Sequence, residues 1–298
     1  MSQPSFISRG AASEFESWLG KARLADTLRV IGSDFDGTLV PKCANDSDVF
    51  RYVRDRSSPA IQAIFGAPSV AGGVISARSF GEVRRILEDA FPDGGQRSGF
   101  SASEHGAVIF CPKLSASGEE SLQSAGFRVL SKREAQTERY TVIKLARVTE
   151  DDLRDKVIVP VMQEAGLADD RWASSVTHGT FRGDLQHLQR LNRHDNFDDT
   201  LRSVERFGSG YVKILGGGEI ERLTERLVEQ AKAVGVYAIV THPHPADPGG
   251  AITVDFSAGT DKRIALEAMS RAYAALLGRR EDTFNFAYFG DAENDRVA

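Results

Sequence analysis

Two acidic clusters stand near opposite ends of this 298-residue chain. The first is Ser33-Asp34-Phe35-Asp36-Gly37-Thr38-Leu39-Val40, the second Gly290-Asp291-Ala292-Glu293-Asn294-Asp295. Each follows an apolar run that reads as a buried strand, Leu28-Arg29-Val30-Ile31 before the first and Phe284-Asn285-Phe286-Ala287-Tyr288-Phe289 before the second. Ligands of open α/β sheets bind beyond the carboxyl ends of the strands. Two neighbouring strand ends that both carry carboxylates build an acidic cup. Unit charges about 4 Å apart repel by about 4 kcal/mol at an effective dielectric of ~20. A hard cation that prefers oxygen donors, Mg²⁺, relieves that repulsion. The alternation of Asp291, Glu293 and Asp295 also suggests a calcium loop, but Arg296 stands where the turn of such a loop needs glycine.

The surrounding pattern supplies strands and helices to hold these groups. Residues 11–25 have helical spacing, with Phe15, Leu19 and Trp18 facing inward. Strands are predicted over about 27–34, 69–76 and 107–110, with helices near 61–65 and 80–91 between them. Strand, helix, strand, helix, strand implies a parallel sheet with right-handed crossovers. Residues from about 114 to 250 differ in character. They hold strand-like 140–145, 211–215 and 236–240, with helices near 150–165 and 219–233. Pro243, Pro245, Pro248, Gly249 and Gly250 mark the expected exit from this region. The expected organisation is therefore a core of residues 1–113 and 251–298 with an α+β insertion over 114–250.

Composition narrows the function classes. Hydrophobic residues make up 41% and charged residues 27%, as in globular proteins. A net charge of −5 with no long basic run argues against nucleic-acid binding. It leaves anionic metabolites open, since one divalent ion can dominate a small site. Cys43 and Cys111 are too few for a disulfide scaffold and lack zinc-type spacing, which suits a cytoplasmic protein. The sequence shows neither a signal-type apolar core nor a membrane span. It does not set an oligomeric state.

Asp34, Asp36 and Thr38, with Gly290, Asp291, Asn294 and Asp295, resemble the first and last motifs of the haloacid dehalogenase-like (HAD) hydrolases, most of which are phosphatases. Ser76-Ala77-Arg78 is similar to the Ser/Thr-Gly-Arg segment of members with a large cap, with Ala77 in place of glycine. Lys262, in Gly259-Thr260-Asp261-Lys262-Arg263-Ile264-Ala265-Leu266, resembles the third motif. Arg263 stands where glycine is common there and is a rival for the cation. The long insertion after Ser76 and the segment Ser103-Glu104-His105-Gly106-Ala107 resemble subfamily IIB, which holds the Cof-type, sucrose-phosphate and trehalose-phosphate phosphatases. The last motif favours the Cof and sucrose-phosphate side. The resemblance implies an α/β fold with a Rossmann-like parallel core sheet and an inserted α+β cap. It also implies Mg²⁺, a small phosphoester substrate such as a sugar phosphate, and an aspartyl-phosphate intermediate.

On that resemblance Asp34 is the nucleophile, because a carboxylate can attack phosphorus. Asp36, about 7 Å away on an extended backbone, protonates the leaving oxygen and later deprotonates water. Gly37 suits the turn, and the Thr38 hydroxyl holds Asp36 or the loop. Ser76 bonds the phosphoryl group, a role compatible with an ordinary helix cap, and Lys262 pairs with the nucleophile. Asp34 and Asp291 through a carboxylate oxygen and Asp36 through its backbone carbonyl are the metal ligands, with Asp295 beside them orienting waters or Lys262. Thr38, Arg78 and Asn294 are assigned to the substrate, Arg78 with a surface ion pair as the alternative. In the insertion His178, Arg182, Lys213 and Gly216-Gly217-Gly218 are weaker candidates for sugar contacts. Lys213 alternates with apolar residues and reads as part of a solvated strand face, and His242 with His244 suggests a metal pair only faintly. The chemistry is shared by a phosphomutase, and the binding features by a silent sugar-phosphate sensor. Related proteins continue with a helix and an edge strand after the last motif, so an end at Ala298 reads as shortened.

Overall fold

A computed structural model describes residues 8–22, 28–41, 46–57, 59, 61–62, 70–90, 99–167, 171–176, 185–216, 220–243, 250–257, 260–280 and 284–290. The strands in chain order are β1 (Leu28–Ser33), β2 (Val70–Val74), β3 (Ser101–Ser103), β4 (Val108–Pro112), β5 (Arg128–Val129), β6 (Tyr140–Lys144), β7 (Trp172–Ser174), β8 (Ser209–Ile214), β9 (Tyr237–Thr241), β10 (Ile252–Ser257) and β11 (Phe284–Phe289).

β11, β1 and β2 form a parallel sheet in that order, with Ser33 level with Phe289 on one side and Val74 on the other. The α/β class expected from the sequence is thus present. The parallel arrangement extends one step further, through a bridge between Ile75 and Ala102. From there the strands run antiparallel, in the order β3-β4-β6-β5. The sequence reading placed the third parallel strand at 107–110, and the structure corrects this. β4 turns back on β3 through the short connection Glu104–Gly106. Parallel neighbours need a crossover of a dozen or more residues, which that connection cannot supply. The true neighbour of β2, Ser101-Ala102-Ser103, is too short and too weakly apolar to register as a strand in sequence.

Helices cover the sheet on both faces. The helix Ser8–Ala22 buries Phe15 and Leu19, and Trp18 packs edge-on to Tyr273 of the helix Lys262–Leu277 with ring centroids 6.0 Å apart. The Tyr273 hydroxyl accepts the Phe100 amide at 2.7 Å, so this helix is anchored by a polar contact inside the core. On the other face the helix Phe80–Ala90 buries Phe80, Val83, Ile86 and Leu87, the stripe that its 3.6-residue spacing predicts.

A second antiparallel sheet has the order β7-β8-β10-β9. Its apolar face, with Val212, Ile214, Val254 and Phe256, packs on Leu153, Val157, Ile158, Leu223 and Leu227 from helical segments on one side of it. The helix expected over 150–165 opens into a wider turn at Arg154–Ile158 before Val159–Ala165. Pro160 has no N–H with which to continue the ladder there. The sheets divide the chain at places other than 113/114 and 250/251. β5 and β6 belong with β4, and β10 belongs with β8 and β9. Among the described residues no helix is long and apolar enough to cross a membrane.

Candidate active site

β1 delivers Asp34 to the edge of the parallel sheet, where its amide donates to the Phe289 carbonyl at 2.7 Å. On the other side the Ile75 amide donates to the Ser33 carbonyl at 2.8 Å. The carboxyl ends of three strands therefore meet around one carboxylate. That carboxylate is buried, and the Lys262 ammonium lies 2.9 Å from Oδ1 of Asp34. Lys262 is the first residue of its helix, which Asp261 caps by accepting the Ile264 amide at 2.7 Å. The side chains of Lys262 and Asp34 are only 5% and 8% exposed, so each charge depends on the other in a poorly solvated place. Arg263, the rival cation, is exposed and pairs with Glu267 at 3.3 Å.

After Asp34 the chain turns sharply. Gly37 has φ 88, a backbone that favours glycine, and its amide donates to the Val40 carbonyl at 2.7 Å. The turn leaves Asp36 half-exposed, facing Arg78. The guanidinium grips both carboxylate oxygens of Asp36, Nε to Oδ2 and Nη2 to Oδ1, each at 2.9 Å. Its Nη1 reaches Glu82 at 3.0 Å. Arg78 is thus neither a surface ion pair nor exposed: its side chain is 11% exposed and bridges two carboxylates. Such fork geometry is the strong form of a charged hydrogen bond. Glu82, four residues on, was not singled out in the sequence, although the i,i+4 spacing on a helix was readable.

Ser76 follows β2, buried, with its Oγ accepting the Arg78 amide at 3.2 Å. It is a turn-holding serine beside Asp34 and Asp36. The Thr38 hydroxyl oxygen is buried and has no hydrogen-bond partner, so the expected bond to Asp36 or the loop is absent. An orphaned polar atom at this loop is the kind of group that a bound ligand or water satisfies. Asp291, Asn294 and Asp295 lie outside the described residues, as do His178, Arg182, Gly217, Gly218 and His244. His242 and Gly216 are exposed. No group of three or more metal-ligating side chains occurs among the described residues.

Facing this loop is the polar side of the second sheet. Successive side chains of a strand point to opposite faces. Tyr211 and Lys213 of β8, Thr253 and Asp255 of β10 and Thr241 of β9 fall on the face opposite Val212 and Val254. In register Lys213 is level with Thr253, and Tyr211 with Asp255. Together with Asn192, Ser203 and Arg206 they line a cavity of about 320 Å³ whose other wall is Asp36, Ala77, Arg78 and Glu82. The sequence reading of Lys213 as a solvated face was right about the alternation and missed what the face looks at. Asn192 donates to the Tyr211 hydroxyl at 2.8 Å, which fixes that ring in the wall. Burial pushes the Tyr211 phenol well above its usual pKa, so it stays a neutral hydrogen-bonding group.

The core and the second sheet are joined here by several polar contacts. Arg84 pairs with Glu205 at 3.0 Å, Arg85 pairs with Asp199, and the Ser79 hydroxyl donates to the Arg202 carbonyl at 2.6 Å. These tie the helix Phe80–Ala90 to the helix Phe197–Ser203 and the turn after it.

No family model and no curated protein matches the sequence. Among solved structures, similarity extends to a sugar phosphatase of HAD subclass IIB, at 15% identity over 90% of this chain and 83% of that chain, with a TM-score of 0.46. An IMP-nucleotidase from Plasmodium falciparum matches at 12% identity over 100% of this chain and 68% of that one, with a TM-score of 0.43. A trehalose-6-phosphate phosphatase from Aspergillus fumigatus matches at 13% identity over 98% and 91%, with a TM-score of 0.30. At these identities and TM-scores the likeness carries no weight for this chain, and the chemistry has to be argued from the side chains.

Proposed function

We propose that the protein is a Mg²⁺-dependent phosphatase of small phosphorylated metabolites, of the sugar-phosphate kind, that works through an aspartyl-phosphate on Asp34. The observation that carries this reading is the pairing of a buried Asp34 with Lys262 at the meeting point of three strand ends, two residues before Asp36, which lines a polar-walled cavity. In the first step an Asp34 oxygen attacks phosphorus, the P–O ester bond breaks, and the leaving alkoxide takes a proton from Asp36. In the second, water attacks the phosphoaspartate, Asp36 takes the water's proton, and Asp34 is restored as inorganic phosphate leaves. Lys262 neutralises the nucleophile and the oxygens of the transferring group, and Ser76 donates to that group.

The Arg78 fork on Asp36 has a consequence for this sequence of events. The fork occupies both carboxylate oxygens of Asp36, so acid–base work there needs the fork to open. An entering phosphate dianion is the natural competitor for the guanidinium, since Arg binds phosphate and carboxylate with the same planar geometry. Substrate binding would thereby release Asp36 for acid–base work. The donor set suits a hard cation: the Asp34 carboxylate, the Asp36 backbone carbonyl and the Asp291 carboxylate, with Asp295 orienting waters beside them, would hold Mg²⁺, and the orphaned Thr38 hydroxyl oxygen belongs to the same loop. The ion, when bound, would offset the negative charge gathered at phosphorus. The polar face of the second sheet would act as a lid over the site and contact the alcohol part of the substrate, with hydroxyl, ammonium and carboxylate groups suited to a polyol.

The test is phosphate release from a panel of sugar phosphates with Mg²⁺ and with EDTA, with Asp34→Asn alongside. Metal-dependent release that disappears in the variant supports the reading. The same fork favours a second reading, a sugar-phosphate-binding protein in which Asp36 stays held by Arg78. Tight binding of a sugar phosphate by a well-folded wild type that releases no phosphate would select it.

A further inference from the structure

The hairpin between β3 and β4 carries a feature that the reaction above does not use. Glu104 and His105 have φ of 58 and 53, a left-handed backbone that non-glycine residues rarely adopt. Their backbone is tied to the catalytic loop: the Glu104 amide donates to the Arg78 carbonyl at 2.8 Å and the His105 amide to the Ser76 carbonyl at 3.1 Å. The Glu104 side chain points the other way, into the second sheet's segment. Oε2 accepts the amides of Phe207, Gly208 and Ser209 at 3.0, 3.0 and 3.1 Å, and Oε1 also accepts the Phe207 amide at 3.0 Å. Three consecutive N–H groups around one carboxylate form an anion-binding nest.

We propose that Glu104 is a positioning residue for substrate recognition, a role that rests on the phosphatase reading: its carboxylate clamps residues 207–209 and so holds Arg206 in the cavity wall near Asp36. Arg206 lines that cavity together with Asp36 and Arg78. Its Nη1 donates to the Ser209 hydroxyl at 2.8 Å and its Nε to the Ser203 carbonyl at 3.0 Å, with the guanidinium 4.8 Å from the centre of the Tyr211 ring. Of these anchors, Ser209 is placed by Glu104. The packing allows little slack. A Cβ on Gly208 would lie 2.3 Å from that of Ala146, in the strand-to-helix connection that the Ala107 carbonyl pins by accepting the Leu145 and Ala146 amides. Glu104 therefore links the Ser76–Arg78 loop, through its backbone, to Arg206, through its side chain.

The experiment compares wild type, Glu104→Gln, Arg206→Met and the double variant in steady-state hydrolysis of the fastest member of a hexose- and disaccharide-phosphate panel. Amide hydrogen exchange is read in parallel. Loss of a charge-assisted acceptor for buried amides should raise KM in Glu104→Gln by about tenfold to a hundredfold, with a smaller change in kcat. The double variant should be no worse than Arg206→Met alone, because one change acts through the other. Exchange at Phe207–Ser209 should quicken while β1 stays protected. Should Glu104→Gln not fold, Ser209→Ala removes the same anchor and should raise KM in the same direction. Multiplying losses in the double variant, unchanged exchange at 207–209, or an unchanged KM in Ser209→Ala would overturn the inference. A wild type that releases no phosphate overturns the phosphatase reading and the recognition role with it; an active wild type with multiplying losses overturns the recognition role alone.

Discussion

The two walls of the cavity are built on opposite principles. The core wall concentrates charge in fixed pairs, Asp36 on Arg78 and Arg78 on Glu82, and it is backed by the buried pair of Asp34 and Lys262 two residues before Asp36 in the chain. Each side chain there has its position set by a charged partner, and the pairs sit at strand ends and helix starts. The lid wall is a sheet face of hydroxyls with one lysine and one aspartate, on strands whose other face does the packing. Changes on that face leave the apolar side untouched. The contrast teaches where each property resides. On the proposed phosphatase reading, chemistry and stability are joined in the core wall, and recognition is separable on the lid wall.

The largest effect expected is in the core wall. Asp34→Asn should lower kcat by about a thousandfold or more, because it removes the attacking oxygen rather than a helper. Phosphate release under saturating substrate measures it. Lys262→Met should cut turnover and also stability, since a buried carboxylate would lose its ammonium partner; breaking such a pair costs about 3–5 kcal/mol. Urea unfolding reads the second part. A loss of turnover with unchanged stability would break the claim that chemistry and stability are joined at this pair. On the lid wall, Lys213→Met should raise KM by about tenfold through a lost charged hydrogen bond, with kcat within about twofold. An equal fall in kcat would place Lys213 in the chemistry and erase the contrast between the walls.

A further effect, on stability alone, sits at the connection between β3 and β4. Burial, with Arg206 and Lys262 nearby, lowers the His105 pKa to about 3, against an ordinary value of 6.5. The folded protein therefore holds this ring neutral while the unfolded chain protonates it. Stability tied to His105 is present above about pH 6.5 and is lost as pH falls towards 3. His105→Asn, which tolerates the left-handed backbone, should lose less stability than wild type across that window. Urea midpoints at several pH values check it, and parallel curves for the two proteins would contradict it.

Much of the core wall was legible in the sequence, and for physical reasons. Strand ends with carboxylates, a glycine after Asp36 and a lysine at a helix start are local patterns, and local patterns survive without a fold. The lid wall was not. Ile252-Thr253-Val254-Asp255-Phe256-Ser257 alternates as a half-buried strand should, yet it follows a Pro- and Gly-rich stretch and was taken as already past the insertion. Its placement between β8 and β9 is a long-range pairing that no local spacing encodes. Glu104 shows the limit most plainly. Its partners are backbone amides over a hundred residues away, and backbone amides have no signature in a sequence.

The central claim is that Asp34 itself accepts the phosphoryl group. The direct measurement is acid quenching of the wild type during turnover of a sugar phosphate, followed by peptide mass analysis. The account predicts one added phosphoryl group on the peptide that carries Asp34, labile to base and missing in Asp34→Asn. Turnover with no phosphorylated peptide, or with the group on another residue, would contradict it.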